Sequence, residues 1–318
     1  MIRSTIPRLA NAVMMIRPCQ FFSNPQTAAS NRFQGQSNLS KEEQQSFAID
    51  EFDNFVTILE DAGIEVIQFN DTVNPVTPDA IFPNNWISFH HDGSVVLYPM
   101  EAKNRRTERR MDIIDTLSTR YNFNVKEIID LTEHENEDQY LEGTGSMVMD
   151  HTNRIIYACR SSRTNLVLLS DLAEKMNYSV VTFDATDRFG DLIYHTNVMM
   201  SVGRDLAIVC LDTICSDKEK SMLLESLKAN NKSVLILSMS QMESFAGNML
   251  ELQSSSGETL LVMSEQAKQS LLDKQVSSIE QYAKIISAPL NNIEASAGGS
   301  ARCMLAEIHL LKKRARNE

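Results

Sequence analysis

Four segments of the chain stack on one another: Asn84–Pro99 (NNWISFHHDGSVVLYP), Gly145–Cys159 (GSMVMDHTNRIIYAC), Thr196–Leu211 (TNVMMSVGRDLAIVCL) and Gly247–Ser264 (GNMLELQSSSGETLLVMS). Each is an apolar run, a polar turn holding Gly, Asn or Asp, and a second apolar run, which is the pattern of a β-hairpin. Stacked, they put Asn85, Ser146, Asn197 and Asn248 at one shared position, spaced 61, 51 and 51 residues apart. A fifth run, RCMLAEIHL from Arg302, places Cys303 another 55 residues on. It has no hairpin partner downstream, and the N-terminal run AVMMIRPCQFF, from Ala12, is expected to supply one. Recurrence at such a period is the mark of a propeller or solenoid.

Helical periodicity fills the intervals, at Arg106–Arg120, Thr164–Met176, Asp217–Ala229 and Ser264–Ala283. Short apolar runs (EVIQF, NVKEII, SVVTF, SVLIL) lead from helices toward the next hairpin. The expected fold is therefore α/β, a five-fold pseudosymmetric α/β propeller of ββαβ-type repeats, closed so that no sheet edge is left open. An open α/β sheet with long insertions is the competing reading, and it leaves the near-constant spacing unexplained. Residues 1–12 read as an N-terminal extension and 13–318 as a single domain. The polar stretch Asn24–Gln45 reads as a loop, either a spacer or a lid.

Composition narrows the function. The chain has 318 residues, 42% hydrophobic and 23% charged, an ordinary globular balance. Its 30 Lys and Arg against 42 Asp and Glu give a net charge of −12, which disfavours nucleic acid as a partner but leaves room for a basic pocket. No apolar run is long enough to cross a bilayer. The five cysteines (Cys19, Cys159, Cys210, Cys215, Cys303) show no C-x-x-C spacing, so neither a disulfide framework nor a structural zinc site is expected. A reducing, cytoplasmic location follows from that usage. The short start MIRSTIPRLAN lacks the apolar or amphipathic stretch of a targeting peptide.

If repeat-leading residues converge, then Asn84, Asn85, Glu142, His195, Asn197, Asn248 and Cys303 meet. A thiol, an imidazole and a carboxylate at one point are the ingredients of covalent catalysis. Arg302 and a neighbouring imidazolium would lower the thiol pKa and favour thiolate. Singly, each residue has a plainer reading: a structural thiol, a strand-end histidine, a turn.

The segments PDAIFPNNW (78–86), LEGTGS (141–146), CRSSRTN (159–165), YHTN (194–197) and GGSARCM (298–304), with the pair Arg105–Arg106, resemble the guanidine-modifying pentein enzymes. That superfamily holds arginine deiminases, dimethylarginine hydrolases and amidinotransferases, and FPNNW with EGTGS is similar to a citrulline-hydrolase-like or amidinotransferase-like subgroup. The resemblance implies Cys303 as nucleophile, His195 as general acid and base, and Glu142 as the carboxylate pairing with it. It also implies a substrate contact at Asp79 and a grip on the substrate α-carboxylate by Arg105 and Arg163, a task suited to a planar fork. The competing readings are a solvated helix face for Arg105, a helix start for Arg163 and a turn residue for Asp79.

Two departures bear on the substrate. Asn85 and Asn197 stand where guanidinium-binding members of the superfamily carry Asp. Removing carboxylates disfavours a buried cation, whereas an amide suits a neutral ureido group with both donors and acceptors. The expected activity is cysteine-dependent hydrolysis at the ureido carbon of an amino acid such as citrulline, giving ornithine, carbon dioxide and ammonia, with no cofactor or metal. A guanidinium substrate and a non-catalytic binding module are the alternatives. A homo-oligomer is left open, and no nucleic-acid or membrane partner is expected.

Overall fold

The computed structural model describes residues 9–28, 30–35 and 38–313, so the first eight residues of the expected N-terminal extension lie outside the described residues. The first strand, β1 (Ala12–Arg17), runs parallel to β2 (Glu65–Asn70), with Val13 opposite Val66 and Ile16 opposite Phe69. Parallel neighbours need a crossover, and the helix Lys41–Asp61 provides it. Ser40 starts that helix: its side chain accepts from the Glu43 backbone while the Glu43 carboxylate accepts from the Ser40 backbone, a reciprocal capping box. The expected polar loop therefore ends at Ser40, and Lys41–Gln45 form the first turns of a helix whose Phe52, Phe55 and Leu59 are fully buried.

All four quoted segments form antiparallel hairpins. They are β3 (Ile87–Phe89) with β4 (Ser94–Leu97), and later in the chain β6 (Val148–Asp150) with β7 (Ile155–Cys159). Next come β9 (Met200–Val202) with β10 (Leu206–Val209), and β12 (Leu250–Gln253) with β13 (Thr259–Ser264). A third strand lies parallel to each second hairpin strand: β5 (Glu127–Asp130), β8 (Ser179–Phe183), β11 (Ser233–Ile236) and β14 (Lys284–Ala288). The short strand β15 (Ala306–Glu307) pairs antiparallel with β1, Val13 opposite Glu307, so the two chain ends share a sheet as the sequence suggested. The outcome is a mixed α/β fold with five three-stranded sheets among the described residues.

Crossover helices cover each sheet. Leu166–Met176 and Asp217–Ala229 match their expected spans closely. Arg106–Arg120 is interrupted: a 3₁₀ segment, Lys103–Glu108, precedes the helix Met111–Thr119, with Arg109 and Arg110 extended between them. Their guanidinium groups are drawn aside, Arg109 to Glu135 and Arg110 to Asp112 and the Asn70 carbonyl. Ser264–Ala283 also divides, into Glu265–Ser270 and Asp273–Ile279, because the Gln275 side chain captures the Leu272 amide and starts a second helix.

One difference positions the site. The residues expected to head strands sit instead in single helical turns: Pro83–Asn85, Gly143–Ser146, Thr196–Met199 and Ala301–Met304. Pro83–Asn85 packs on both Gly143–Ser146 and Ala301–Met304, and Gly143–Ser146 packs on Thr196–Met199. A turn of helix shortens the chain and swings side chains inward, gathering residues from distant repeats. No helix among the described residues is long and apolar enough to cross a membrane.

Candidate active site

Cys303 lies in the turn Ala301–Met304, its amide bonded to the Ser300 carbonyl at 2.9 Å and its side chain buried. Two asparagine side chains reach the sulfur. Asn248 Nδ2 lies 3.3 Å from Sγ and Asn197 Nδ2 lies 3.8 Å from it. Asn248 is itself locked, donating to the Asn197 carbonyl and accepting from the Arg302 amide, each at 3.0 Å. Burial pushes the Cys303 thiol up, outweighing the Ser300 and Asn248 hydrogen bonds and the pull of Arg302. The expected thiolate is therefore corrected to a neutral thiol. Arg302 turns away from the sulfur, to Glu307 and the Leu305 carbonyl, and leaves desolvation dominant.

His195 caps the turn Thr196–Met199 and lines the same cavity as Cys303. Its Nε2 meets Glu142 Oε2 at 2.8 Å, so with Nε2 protonated the lone pair sits on Nδ1. Burial lowers its pKa to about 4 against the raising effect of Glu142, so the ring is neutral near pH 7. Glu142 is fully buried, with Oε1 accepting from the Glu101 amide at 3.0 Å and Oε2 also meeting Arg163 at 3.3 Å. Burial alone would raise this carboxyl, but Arg163 and the His195 hydrogen bond win and hold it well below the usual carboxylate range. Gly145 makes the packing possible, since a Cβ there would come within 2.4 Å of Asn85 Nδ2 and 2.7 Å of His195 Nδ1.

Arg105 is buried and almost fully engaged. It holds Glu108 by two bonds of 2.9 Å, donates to Asn85 Oδ1 at 2.9 Å, and reaches the Phe82 and Asp79 carbonyls. A guanidinium so occupied orients Asn85 instead of offering a free fork, and the solvated helix face is excluded by its burial. Arg163 stacks on Tyr194 with 4.9 Å to the ring centroid and bonds Glu101 at 3.1 Å and Ser30 at 2.6 Å. Asp79 accepts from Asn24 at 2.7 Å. Asn197 touches the sulfur but lines the cleft on the other side, beside His151 and Arg302, not the cavity itself.

The cavity walls include Asp79, Phe82, Asn85, Arg105, Arg163 and Tyr194 besides the Cys–His pair, and its volume is only about 20 Å³. That is room for about one water. Thr27 and Asn31 close it from the segment 24–35, where Asn31 Nδ2 donates to the Ala297 carbonyl and the Gly35 amide to the Ala295 carbonyl. Gly298, in the left-handed region at φ 66°, lets that segment approach, because a Cβ there would lie 2.4 Å from the Gln34 nitrogen.

The family model for N,N dimethylarginine dimethylhydrolase, eukaryotic, matches residues 17–310. The chain belongs to this family. It is thereby one of the guanidine-modifying pentein enzymes, a hydrolase acting on a non-peptide C–N bond. No curated protein sequence matches the chain. Among solved structures, it is similar to ArgZ, an arginine dihydrolase from the ornithine-ammonia cycle in cyanobacteria (TM-score 0.71, 15% identity, 93% of this chain and 40% of that one). Against the N-terminal domain of ArgZ, in a cysteine-to-serine mutant bound to substrate, coverage is 93% of this chain and 97% of that domain, at TM-score 0.71 and 15% identity. The likeness extends to a cysteine-to-serine mutant of the dimethylarginine hydrolase of Pseudomonas aeruginosa complexed with citrulline (TM-score 0.63, 12% identity, 94% of this chain and all of that one). At these identities the structures share the mixed α/β pentein fold.

Asn248, expected from the sequence only as one of the converging repeat-leading residues, brings its Nδ2 to 3.3 Å from the sulfur. Two further residues of the site were not selected from the sequence. Glu108 and Tyr194 act through the two arginines, and nothing in their spacing announces that.

Proposed function

We propose that the protein hydrolyses the ureido group of an amino acid such as citrulline, releasing ornithine, carbon dioxide and ammonia through a covalent intermediate on Cys303. The observation that carries the ureido assignment is the Asn85 amide. Arg105 donates to Asn85 Oδ1, which fixes the amide orientation, and Asn85 Nδ2 is left buried without a partner in the cavity wall. The group offered to a ligand is therefore a donor. A guanidinium carries only donors, whereas a ureido oxygen accepts. Asp79, a buried carboxylate in the same wall, favours the second reading, a guanidinium substrate as in the family name.

In this mechanism the Cys303 proton passes to His195 Nδ1 as the sulfur attacks the ureido carbon. The imidazolium, stabilised by Glu142, then protonates the departing amine of ornithine. Water deprotonated by neutral His195 attacks the carbamoyl thioester, freeing the thiol and a carbamate that breaks down to carbon dioxide and ammonia. Starting from a neutral pair suits this order, since Cys303 and His195 add no charge of their own to the buried site until substrate arrives. Arg163 binds the α-carboxylate once Ser30 releases it, and the segment 24–35 serves as the lid. The five sheets form the blades of a closed propeller within one domain from residue 13 onward, and five free cysteines fit a cytoplasmic location.

The test is to incubate pure protein separately with citrulline, arginine and dimethylarginine and to quantify ornithine and ammonia. Ornithine from citrulline is expected. Turnover of the guanidinium compounds alone would falsify the ureido assignment.

A further inference from the structure

At the far ends of the first strands, away from the helical turns that carry Cys303 and His195, three histidines lie close together. His90 follows β3, His151 follows β6 and His309 lies two residues beyond β15. Phe89 bridges Ile308 in parallel, which sets His90 beside His309. The His151 and His309 rings lie 4.2 Å apart between centroids, and the His90 and His151 rings 6.2 Å apart. Glu307 joins them, its Oε1 3.8 Å from His309 Nε2. One ligand atom each from His151, Glu307 and His309 lies within 4.8 Å of the others.

The free atoms of this cluster point to a ligand. His309 Nε2 has no hydrogen-bond partner although the side chain is only 7% exposed. His151 Nδ1 meets the Tyr178 hydroxyl at 3.0 Å, which leaves Nε2 to coordinate. Glu307 Oε2 is held by Arg302 at 2.5 Å, so Oε1 is the oxygen presented to the imidazoles. Outer hydrogen bonds of this kind fix ring tautomers and carboxylate orientation around metal ions. The His151 and His309 rings are tilted by 44° to one another, and no hydrogen bond joins the two imidazoles.

We infer that His151 Nε2, Glu307 Oε1 and His309 Nε2 form a binding site for a divalent transition metal of the zinc class. Two imidazoles and a carboxylate are a standard zinc donor set with a fourth position left for water, at bond lengths of about 2.0–2.2 Å. Mixed nitrogen and oxygen donors disfavour calcium and magnesium, which select oxygen. Closing the triad onto an ion requires its atoms to draw in by about an ångström from their present separations. The site is separate from the proposed nucleophile, although Glu307 and Arg302 link the two through the Cys303 turn.

The test uses full-length protein carrying Cys303→Ser, which removes the thiol as a competing ligand. Titration with cobalt(II) is expected to give one bound equivalent with the visible absorption of tetrahedral nitrogen–oxygen coordination. In the same background, His151→Gln and His309→Gln are expected to weaken binding about a hundredfold. Circular dichroism confirms folding, and Glu307→Gln gives the same reading should one histidine variant fail to fold. No stoichiometric binding by the Cys303→Ser protein, or unchanged affinity in folded ligand variants, would overturn the site.

Discussion

At the residue scale, the account turns on protonation. A neutral thiol predicts that alkylation of Cys303 by iodoacetamide, without substrate, is slow near pH 7 and rises about tenfold per pH unit to beyond the ordinary thiol range. A rate already at its plateau at neutral pH would show a standing thiolate instead. Glu142→Gln removes the partner of both His195 and Arg163. It is expected to lower kcat by about 10³-fold or more, with a loss of stability on the order of 3 kcal/mol for the orphaned buried cation. Asn85→Asp replaces the offered donor with an acceptor, so kcat/KM for citrulline should fall about a hundredfold while guanidinium compounds gain. Cys303, His195 and Glu142 were legible in the sequence because each heads a repeat. Asn85's orientation was not, since it depends on an arginine twenty residues away that seemed destined for the substrate.

At the element scale, the hairpins were legible because their register follows the apolar pattern, and all four quoted segments pair as read. The helical turns before them were not. Runs such as TNVMM and RCML have the β-branched and apolar character of strands, and packing between turns decides their conformation. Where Arg109 and Arg110 or Gln275 interrupt a helix, the cause is a side-chain bond that apolar periodicity does not register. Two predictions test these elements. Ser40→Ala removes the capping box of Lys41–Asp61 and should cost about 1 kcal/mol in urea unfolding, with kcat unchanged. Gly145→Ala should cut activity sharply while the protein stays folded, because the added methyl displaces His195 and Asn85. Wild-type kinetics in that variant would remove the tight packing from the account.

At the scale of the whole molecule, the pairing of β1 with β15 ties the chain ends together, and the converging turns depend on it. Stability should accordingly report on the buried site. His195 has a folded pKa of about 4 against 6.5 when exposed, so the unfolded chain binds the proton first. That favours unfolding as pH falls from about 6.5 toward 4, a loss of roughly 3 kcal/mol from this residue. Urea midpoints at pH 7 and pH 4.5 should show it, and His195→Gln should flatten the fall. The most direct test of the whole account is the mass of the Cys303 peptide from enzyme quenched during turnover of citrulline. A carbamoyl adduct on that cysteine, absent from Cys303→Ser, is the predicted result; ornithine accumulating with the peptide never modified, or undiminished in the variant, would contradict it.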